Sequence, residues 1–221
     1  EQLQHAEKMA SVGLLAAGVA HEVNTPLAGI TSYTQLLRGQ LEKTDPSQQV
    51  LEKIERQSFR AAKIINGLLN FSRSGGTEFE RVDVNKALLD VLSLLEHQLE
   101  GSKIRVRREL AEDLPPIRGN ASRIQQVFFN LILNARDAMP SGGWLALTTS
   151  CETDSVAVEL RDTGHGIRRE HIRRIYDPFF TTKGLGKGTG LGLSVSYGIV
   201  QEHGGAIFVD STPGQGTCFR V

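Results

Sequence analysis

The residues best able to do chemistry lie in the stretch Gly18-Val-Ala-His-Glu-Val-Asn-Thr-Pro-Leu27. His21 and Glu22 stand side by side in a helical pattern, Thr25 follows one turn later, and Pro26 comes next. A neutral imidazole nitrogen is a competent nucleophile near neutral pH, its unperturbed pKa being about 6.5. The adjacent Glu22 carboxylate can orient the ring or accept its proton. His21 shares a helix face with Leu14, Gly18 and Thr25, so small neighbours leave the ring open to a large partner. A lone exposed histidine is more often an ordinary surface residue. Four patterns of nucleotide-site character, beginning about a hundred residues later, favour a histidine that takes a phosphoryl group. Pro26 removes the backbone donor that would bond residue 22 and is expected to bend the helix beside His21.

The first of the four patterns is Asn130-Leu-Ile-Leu-Asn134-Ala-Arg-Asp137. Asn130 and Asn134 are one turn apart on a helix face, with Asp137 three residues on. Oxygen donors without excess charge suit a Mg²⁺ that keeps waters and also binds phosphates, which makes Asn134 and Asn130 the candidate metal ligands. Taken alone, such a pair is usually incidental. The second pattern, Asp162-Thr-Gly164-His-Gly166-Ile167, ends an apolar run. Its glycines let backbone approach a ligand closely, and Asp162 is a short acceptor for an exocyclic amine such as that of adenine. An ordinary turn with a capping aspartate explains that pattern equally well in isolation.

The third pattern, Asp177-Pro-Phe-Phe180-Thr-Thr182-Lys183, has the aromatics and cation of a lid that closes over phosphates, with Lys183 and Lys187 placed to meet them. The fourth, Gly184-Leu-Gly-Lys-Gly188-Thr189-Gly190-Leu191-Gly192-Leu193, runs directly into a helix. Backbone N–H groups at a helix N-terminus bind phosphate through unsatisfied donors and the helix dipole. A P-loop is excluded, because Thr181 stands where its first glycine belongs and Gly188 follows Lys187. The dinucleotide fingerprint is excluded too, since these glycines recur at every second residue outside any βαβ unit.

The elements that must position these groups fall into two sets. From Glu1 to about Thr44 the pattern is helical, with Leu3, Ala6, Ala10, Gly13, Ala17 and Ala20 on one stripe. Thr44-Asp45-Pro46-Ser47 is a stop and restart, with Asp45 or Ser47 as the next cap. The second helix carries Leu51, Ile54, Ser58, Ala61, Ile65 and Leu68 at alternating three and four, a heptad seam. An antiparallel hairpin of two such helices has too little core, which a homodimer in a four-helix bundle would remedy. A monomeric hairpin packed on the second domain is the competing arrangement.

Residues 1–74 are thus the helical domain, 75–82 a linker with Gly75-Gly76 as its loosest point, and 83–221 a second domain. In the second domain we expect a short strand at Val82 and Val84, a helix over 85–100, and a strand near 104–110. A helix from Asn120 or Ser122 to Met139 follows, then a strand hairpin over 144–151 and 156–162. A helix over 190–203 and closing strands at 206–210 and 217–221 complete an α+β layer, one sheet with helices on one face.

Composition sets the outer bounds. The 221 residues can hold one large or two ordinary domains, with 39% hydrophobic and 23% charged residues, as in a soluble globular protein. Net charge is zero, so no overall field points to nucleic acid or an anionic membrane. No apolar run is long enough to span a bilayer, and no secretory signal is expected, since residue 1 already lies inside a polar helical pattern. The two cysteines, Cys151 and Cys218, lack metal-ligand spacing and make a weak disulfide case, which favours a reduced, cytoplasmic setting. The absence of an initiator Met and a start inside a helical pattern suggest a fragment, whose full-length protein is open to a membrane anchor upstream.

On these residues the chain resembles the transmitter core of the two-component sensor histidine kinases, along essentially all its length. HEVNTPL is similar to that family's phosphoacceptor box, NLILNARDAM to its asparagine box, DTGHGI to its first glycine box, DPFFTTK to its phenylalanine box and GKGTGLGL to its second glycine box. TPGQGTCF, which contains Thr217, looks like the third, smaller glycine motif. The resemblance implies a dimeric helical hairpin followed by a two-layer α/β sandwich of the GHKL, or Bergerat, type. It implies that His21 is phosphorylated, that Glu22 is its acid/base neighbour, and that Thr25 positions water for a phosphatase activity. It further implies ATP and Mg²⁺ as cofactors, Asn134 on the metal with Asn130 close by, and Asp162 on the adenine amine. Asp137, Gly164, Gly166, Ile167, Phe180, Thr182, Lys183, the Gly188–Leu193 run and Thr217 would line the nucleotide. A response-regulator receiver is the implied partner, with no nucleic acid and no membrane contact within these residues.

Two other classes compete. One is an ATP-driven clamp of the same nucleotide fold, which relies on a glutamate to activate water where Asn130 stands here. The other is a phosphatase-dominant or scaffold protein that uses the hairpin to dock its partner.

Overall fold

The computed structural model describes residues 23, 26–42, 45–72, 78–183 and 188–221, and for 59–60 and 62–72 the backbone alone. It separates into two compact units, the second formed by Gly76–Thr181 and Gly190–Val221.

In the first unit a helix over residues 26–40 (α1) and the helix Ser47–Ser72 (α2) are joined by a turn. Pro46 begins the restart: its fixed φ suits a first helical turn, and Asp45 Oδ1 accepts a hydrogen bond from Ser47 N at 2.7 Å. Gln48 closes the end of α1 by donating from Nε2 to the carbonyls of Arg38 (2.9 Å) and Leu41 (3.2 Å). Two turns further along α2, Glu55 accepts from Arg38 Nη1 at 2.6 Å and from Gln35 Nε2 at 2.8 Å. Those two contacts hold the Glu55 carboxyl below its ordinary value, the Gln35 bond contributing most. The seam is only partly closed, with Leu51 and Ser58 buried and Ile54 40% exposed. Ile30, Tyr33, Leu36, Leu37 and Val50 are exposed apolar side chains of the same pair. Residues 22–25, where the Pro26 bend is expected, lie almost wholly outside the described residues, as do the hinge glycines.

The second unit is one helical layer on one twisted sheet. Its elements run Glu80–Val82 (β1), Val84–Gly101 (α3), Ile104–Glu109 (β2), Ile117–Gly119 (β3), Ala121–Ala138 (α4), Gly143–Cys151 (β4) and Val156–Asp162 (β5). Arg169–Ile172 (α5), Gly192–Glu202 (α6), Phe208–Thr212 (β6) and Gly216–Arg220 (β7) complete it. The main sheet has the order β2-β4-β5-β7-β6, with β2 and β4 parallel and every other pair antiparallel. β1 and β3 form a separate two-stranded ribbon.

Strand alternation defines the core. Along β4, Leu145, Leu147 and Thr149 are buried while Trp144 and Ser150 are exposed, so one face of the sheet is covered. Register places Leu147 opposite Leu160 and Leu160 opposite Phe219, continuing the apolar stripe across three strands. Leu88, Leu92 and Leu95 of α3 and Phe128, Leu131 and Ile132 of α4 supply the opposing layer, each at most 3% exposed. Caps start both helices: Asp83 accepts from Lys86 N at 2.9 Å and Asn120 from Arg123 N at 3.0 Å.

Several boundaries differ from the sequence reading. Val84 opens α3 instead of extending a strand, because Asp83 caps there. β3 and the short α5 were not expected; β3 is three residues long and exists only by pairing with the distant β1. α6 begins at Gly192 and not Gly190, since Gly190 sits at φ +68° in the preceding loop. β6 starts at Phe208, after Gly204 at φ +70° turns the chain out of α6.

Leu131→Ala is expected to lower the unfolding free energy of the second unit by about 2–5 kcal/mol, as for a leucine whose cavity cannot collapse. Leu94→Ala, at a side chain 73% exposed, should change it by under about 0.5 kcal/mol. Urea denaturation of both variants checks the contrast, and similar losses would contradict the layer assignment.

Candidate functional site

The candidate residues of the second unit converge where β5 ends, α4 ends and α6 begins. Asp162 is the last residue of β5 and is 4% exposed. Its Oδ1 accepts two backbone hydrogen bonds, from Gly164 N at 2.8 Å and Thr217 N at 3.2 Å. Its Oδ2 makes none among the described residues. Burial pushes the Asp162 carboxyl above its ordinary value, opposed by the Gly164 and Thr217 N–H groups and by the charge of His165. The result is a short, oriented acceptor with one oxygen locked and the other uncommitted, which fits a ligand's exocyclic amine.

The cradle around it is made of backbone. A Cβ on Gly164 would stand 2.6 Å from the Ala138 carbonyl oxygen, so only glycine lets this turn lie on the end of α4. His165 N completes that contact by donating to Ala138 O at 3.0 Å. Gly166, at φ +69°, approaches Thr212 so closely that a Cβ would meet its carbonyl oxygen at 2.2 Å. Ile167 N then donates to Ser211 Oγ at 2.8 Å, and Ser211 Oγ lies 3.0 Å from Thr217 Oγ1. Ser211 therefore ties the first and third glycine stretches together. The sequence reading missed it; its position six residues before Thr217, across the β6–β7 turn, is the signal that pointed there.

On α4, Asn130 Nδ2 donates to Gly192 O at 3.1 Å and Ser196 Oγ at 3.2 Å, so this carboxamide touches the first turn of α6. Asn134 is one turn further along the same helix. Asp137 Oδ1 accepts from Arg136 at 2.6 and 3.0 Å. Amide oxygens without net charge suit a hard cation shared with phosphates, and among the described residues no three His, Cys, Asp or Glu cluster into a protein-only cage.

The chain leaves this unit after Thr181 and re-enters it at Gly190. Phe179 N donates to Gly190 O at 3.0 Å, and Phe179 itself adopts φ +67°. Phe180 stacks beside His171 (5.4 Å) and under the Arg174 guanidinium (4.6 Å). Thr182 is exposed and Lys183 half-buried; Gly188 and Thr189 are half-buried on the returning run. Leu191 is buried at the start of α6, and Leu193 is half-buried in its first turn. His21, Glu22, Thr25 and Lys187 lie outside the described residues.

Two family models match the chain: the His Kinase A (phospho-acceptor) domain over residues 11–77, and the histidine kinase-, DNA gyrase B-, and HSP90-like ATPase over residues 119–221. The sensor kinase CckA of Brucella abortus (strain 2308) is 39% identical over an alignment covering 100% of this chain and 25% of that protein. Full-length ShkA in complex with AMPPNP matches with a TM-score of 0.77 at 25% identity, over 93% of this chain and 44% of that one. The catalytic domain of histidine kinase ThkA matches at 32% identity and TM-score 0.59, over 65% of this chain and 93% of that one. ThkA in complex with the response regulator protein TrrA matches at 25% identity and TM-score 0.70, over 100% of this chain and 64% of that one. The chain spans from 25% to 48% of the length of the curated relatives it matches. A phospho-acceptor match followed by an ATPase match, in a chain whose second unit is the expected two-layer sandwich, makes this chain a member of the two-component sensor histidine kinases, carrying their transmitter core.

Proposed function

We propose that the chain is an ATP-dependent protein-histidine kinase that phosphorylates itself on His21 and passes the phosphoryl group to an aspartate of a response-regulator receiver. The observation that carries this reading is the Asp162 carboxylate, one oxygen held by two backbone N–H groups and the other uncommitted, in a chain whose phospho-acceptor match contains His21. The AMPPNP bound by ShkA and the regulator bound by ThkA support the same substrate and partner.

Asp162 Oδ2 accepts from the adenine amine, which fixes the base in the cradle. The first-turn N–H groups of α6 and the Gly188–Leu193 run meet the phosphates, where a helix N-terminus favours negative charge. Lys183 and Lys187 add positive charge from the lid. Mg²⁺, when bound by Asn134 with Asn130 close by, neutralises charge that builds on the phosphates. A His21 ring nitrogen then forms a P–N bond to the γ-phosphorus as the bond to the β–γ bridging oxygen breaks. ADP leaves and the ring proton passes to Glu22. In the second transfer the P–N bond breaks as a receiver carboxylate forms its P–O bond. Thr25, one turn beyond His21, positions water for removing the phosphoryl group from the receiver.

The helical unit works as a homodimer. Tyr33 and Leu37 of α1 and Ile54 of α2 are 70%, 49% and 40% exposed, and a second hairpin covers this apolar surface in a four-helix bundle. The clamp reading lacks a water-activating glutamate, because Asn130 occupies that place.

Four measurements test these assignments. Incubation with γ-labelled ATP should give an acid-labile phosphoprotein that His21→Gln abolishes; label retained by that variant sinks the assignment. Asp162→Asn keeps an oxygen for Gly164 and Thr217 but sets an N–H₂ against the adenine amine, so nucleotide affinity should fall about 10- to 100-fold. Stability should move the other way. Burial raises the folded-state value of this carboxyl, so its stabilising contribution is complete below the unfolded value and is lost as pH rises through the folded one. At pH 7 the asparagine variant should therefore melt at or above the parent temperature, with the advantage shrinking towards pH 4. A variant that melts lower at pH 7 contradicts the burial argument. Leu37→Lys, finally, should shift the protein from dimer to monomer in light scattering; an unchanged dimer would place the interface elsewhere.

A further inference from the structure

We infer that Asn130 and Ser196 form a latch that sets the first turn of α6 against α4, and that Asn130 serves the nucleotide as a positioning residue through its amide protons. The inference rests on the nucleotide reading above and deepens it.

The bonding is closed. Asn130 Nδ2 donates one proton to Gly192 O at 3.1 Å and the other to Ser196 Oγ at 3.2 Å, while Ser196 Oγ donates to the same Gly192 O at 2.9 Å. A carbonyl oxygen only accepts, so the –NH₂ side of Asn130 must face it, which removes the usual amide ambiguity. Ser196 is fully buried, so each of its polar contacts matters. Packing does not explain the pair: a Cβ on Gly192 would meet Asn130 Cγ at 3.6 Å, ordinary contact.

The latch stands at one end of a helix pair whose other end is tied separately. Asn120 N donates to His203 Nε2 at 2.9 Å, His203 Nδ1 bonds Ile199 O at 2.7 Å, and Arg123 reaches Glu202 at 3.0 Å. Losing the latch therefore frees the first turn of α6, whose N–H groups have no intrahelical acceptor, without releasing the helix.

Ser196→Ala, Asn130→Asp and the double variant separate this role from direct metal ligation. The carboxylate introduced by Asn130→Asp keeps an oxygen for a cation but has no proton for Gly192 O or Ser196. Two readouts apply: amide hydrogen exchange over residues 193–197 without nucleotide, and titration with a fluorescent ATP analogue at several Mg²⁺ concentrations. We expect Ser196→Ala to speed exchange there, leave residues 199–203 protected, and weaken nucleotide binding about 3- to 10-fold with an unchanged Mg²⁺ midpoint. Asn130→Asp should lose at least as much, and the double variant should be no worse than Asn130→Asp alone. Parent-like exchange and affinity in Ser196→Ala overturn the latch, as does Asn130→Asp that binds the Mg²⁺–nucleotide as tightly as the parent. If the parent binds no nucleotide, the site reading fails while the exchange experiment still decides the latch.

Discussion

A carboxylate buried at the end of a strand is tolerated only if backbone donors meet it, and the second unit is arranged around meeting Asp162. One of its two partners, Gly164, follows directly in the chain; the other, Thr217, comes from β7. β7 must therefore lie beside β5 in a register that puts Thr217 opposite Asp162, which is the pairing found. Gly216 makes that register possible, since at φ +98° a Cβ there would stand 2.0 Å from the Asp162 carbonyl oxygen. With β7 placed, β6 follows at the sheet edge and Ser211 comes within reach of Ile167. The order β5-β7-β6 thus follows from a polar requirement as much as from the apolar stripe of Leu147, Leu160 and Phe219.

What the sequence made legible were the features with a local signature. The Asn130–Asn134 spacing declared a helix face, Asn120 a cap, and the β4–β5 alternation a hairpin with one covered face. Contacts across long separations were hidden. β3 is a three-residue strand after two prolines and forms only because β1 pairs with it. Ser196 reads as a polar intrusion in an apolar helix until Asn130, 66 residues earlier, is seen beside it. Gly190 belongs by periodicity to the helix that follows, yet its positive φ and the Phe179 contact assign it to the loop. The heptad seam of α2 predicted a buried Ile54, but within one hairpin that side chain stays 40% exposed, because a seam needs a partner to close on.

The stretch between Phe179 and Gly190 is held on either side by contacts among the described residues. Its two ends meet in the hydrogen bond from Phe179 N to Gly190 O, so the stretch departs and returns at one point. Holding Phe179 at φ +67° costs a bulky residue on the order of 1 kcal/mol, and the surrounding contacts must offset it. The Phe180 ring, set against His171 and Arg174, anchors the departing strand. On the returning side, Leu191 is buried and Asn130 holds Gly192. The Phe179–Gly190 hydrogen bond thus sets the base of this stretch without any ligand. The first turn of α6 is set against α4 by the Asn130 contacts to Gly192 and Ser196. The N–H groups that would meet the phosphates therefore belong to a turn held on both sides, by the buried Leu191 and by the Asn130 carboxamide.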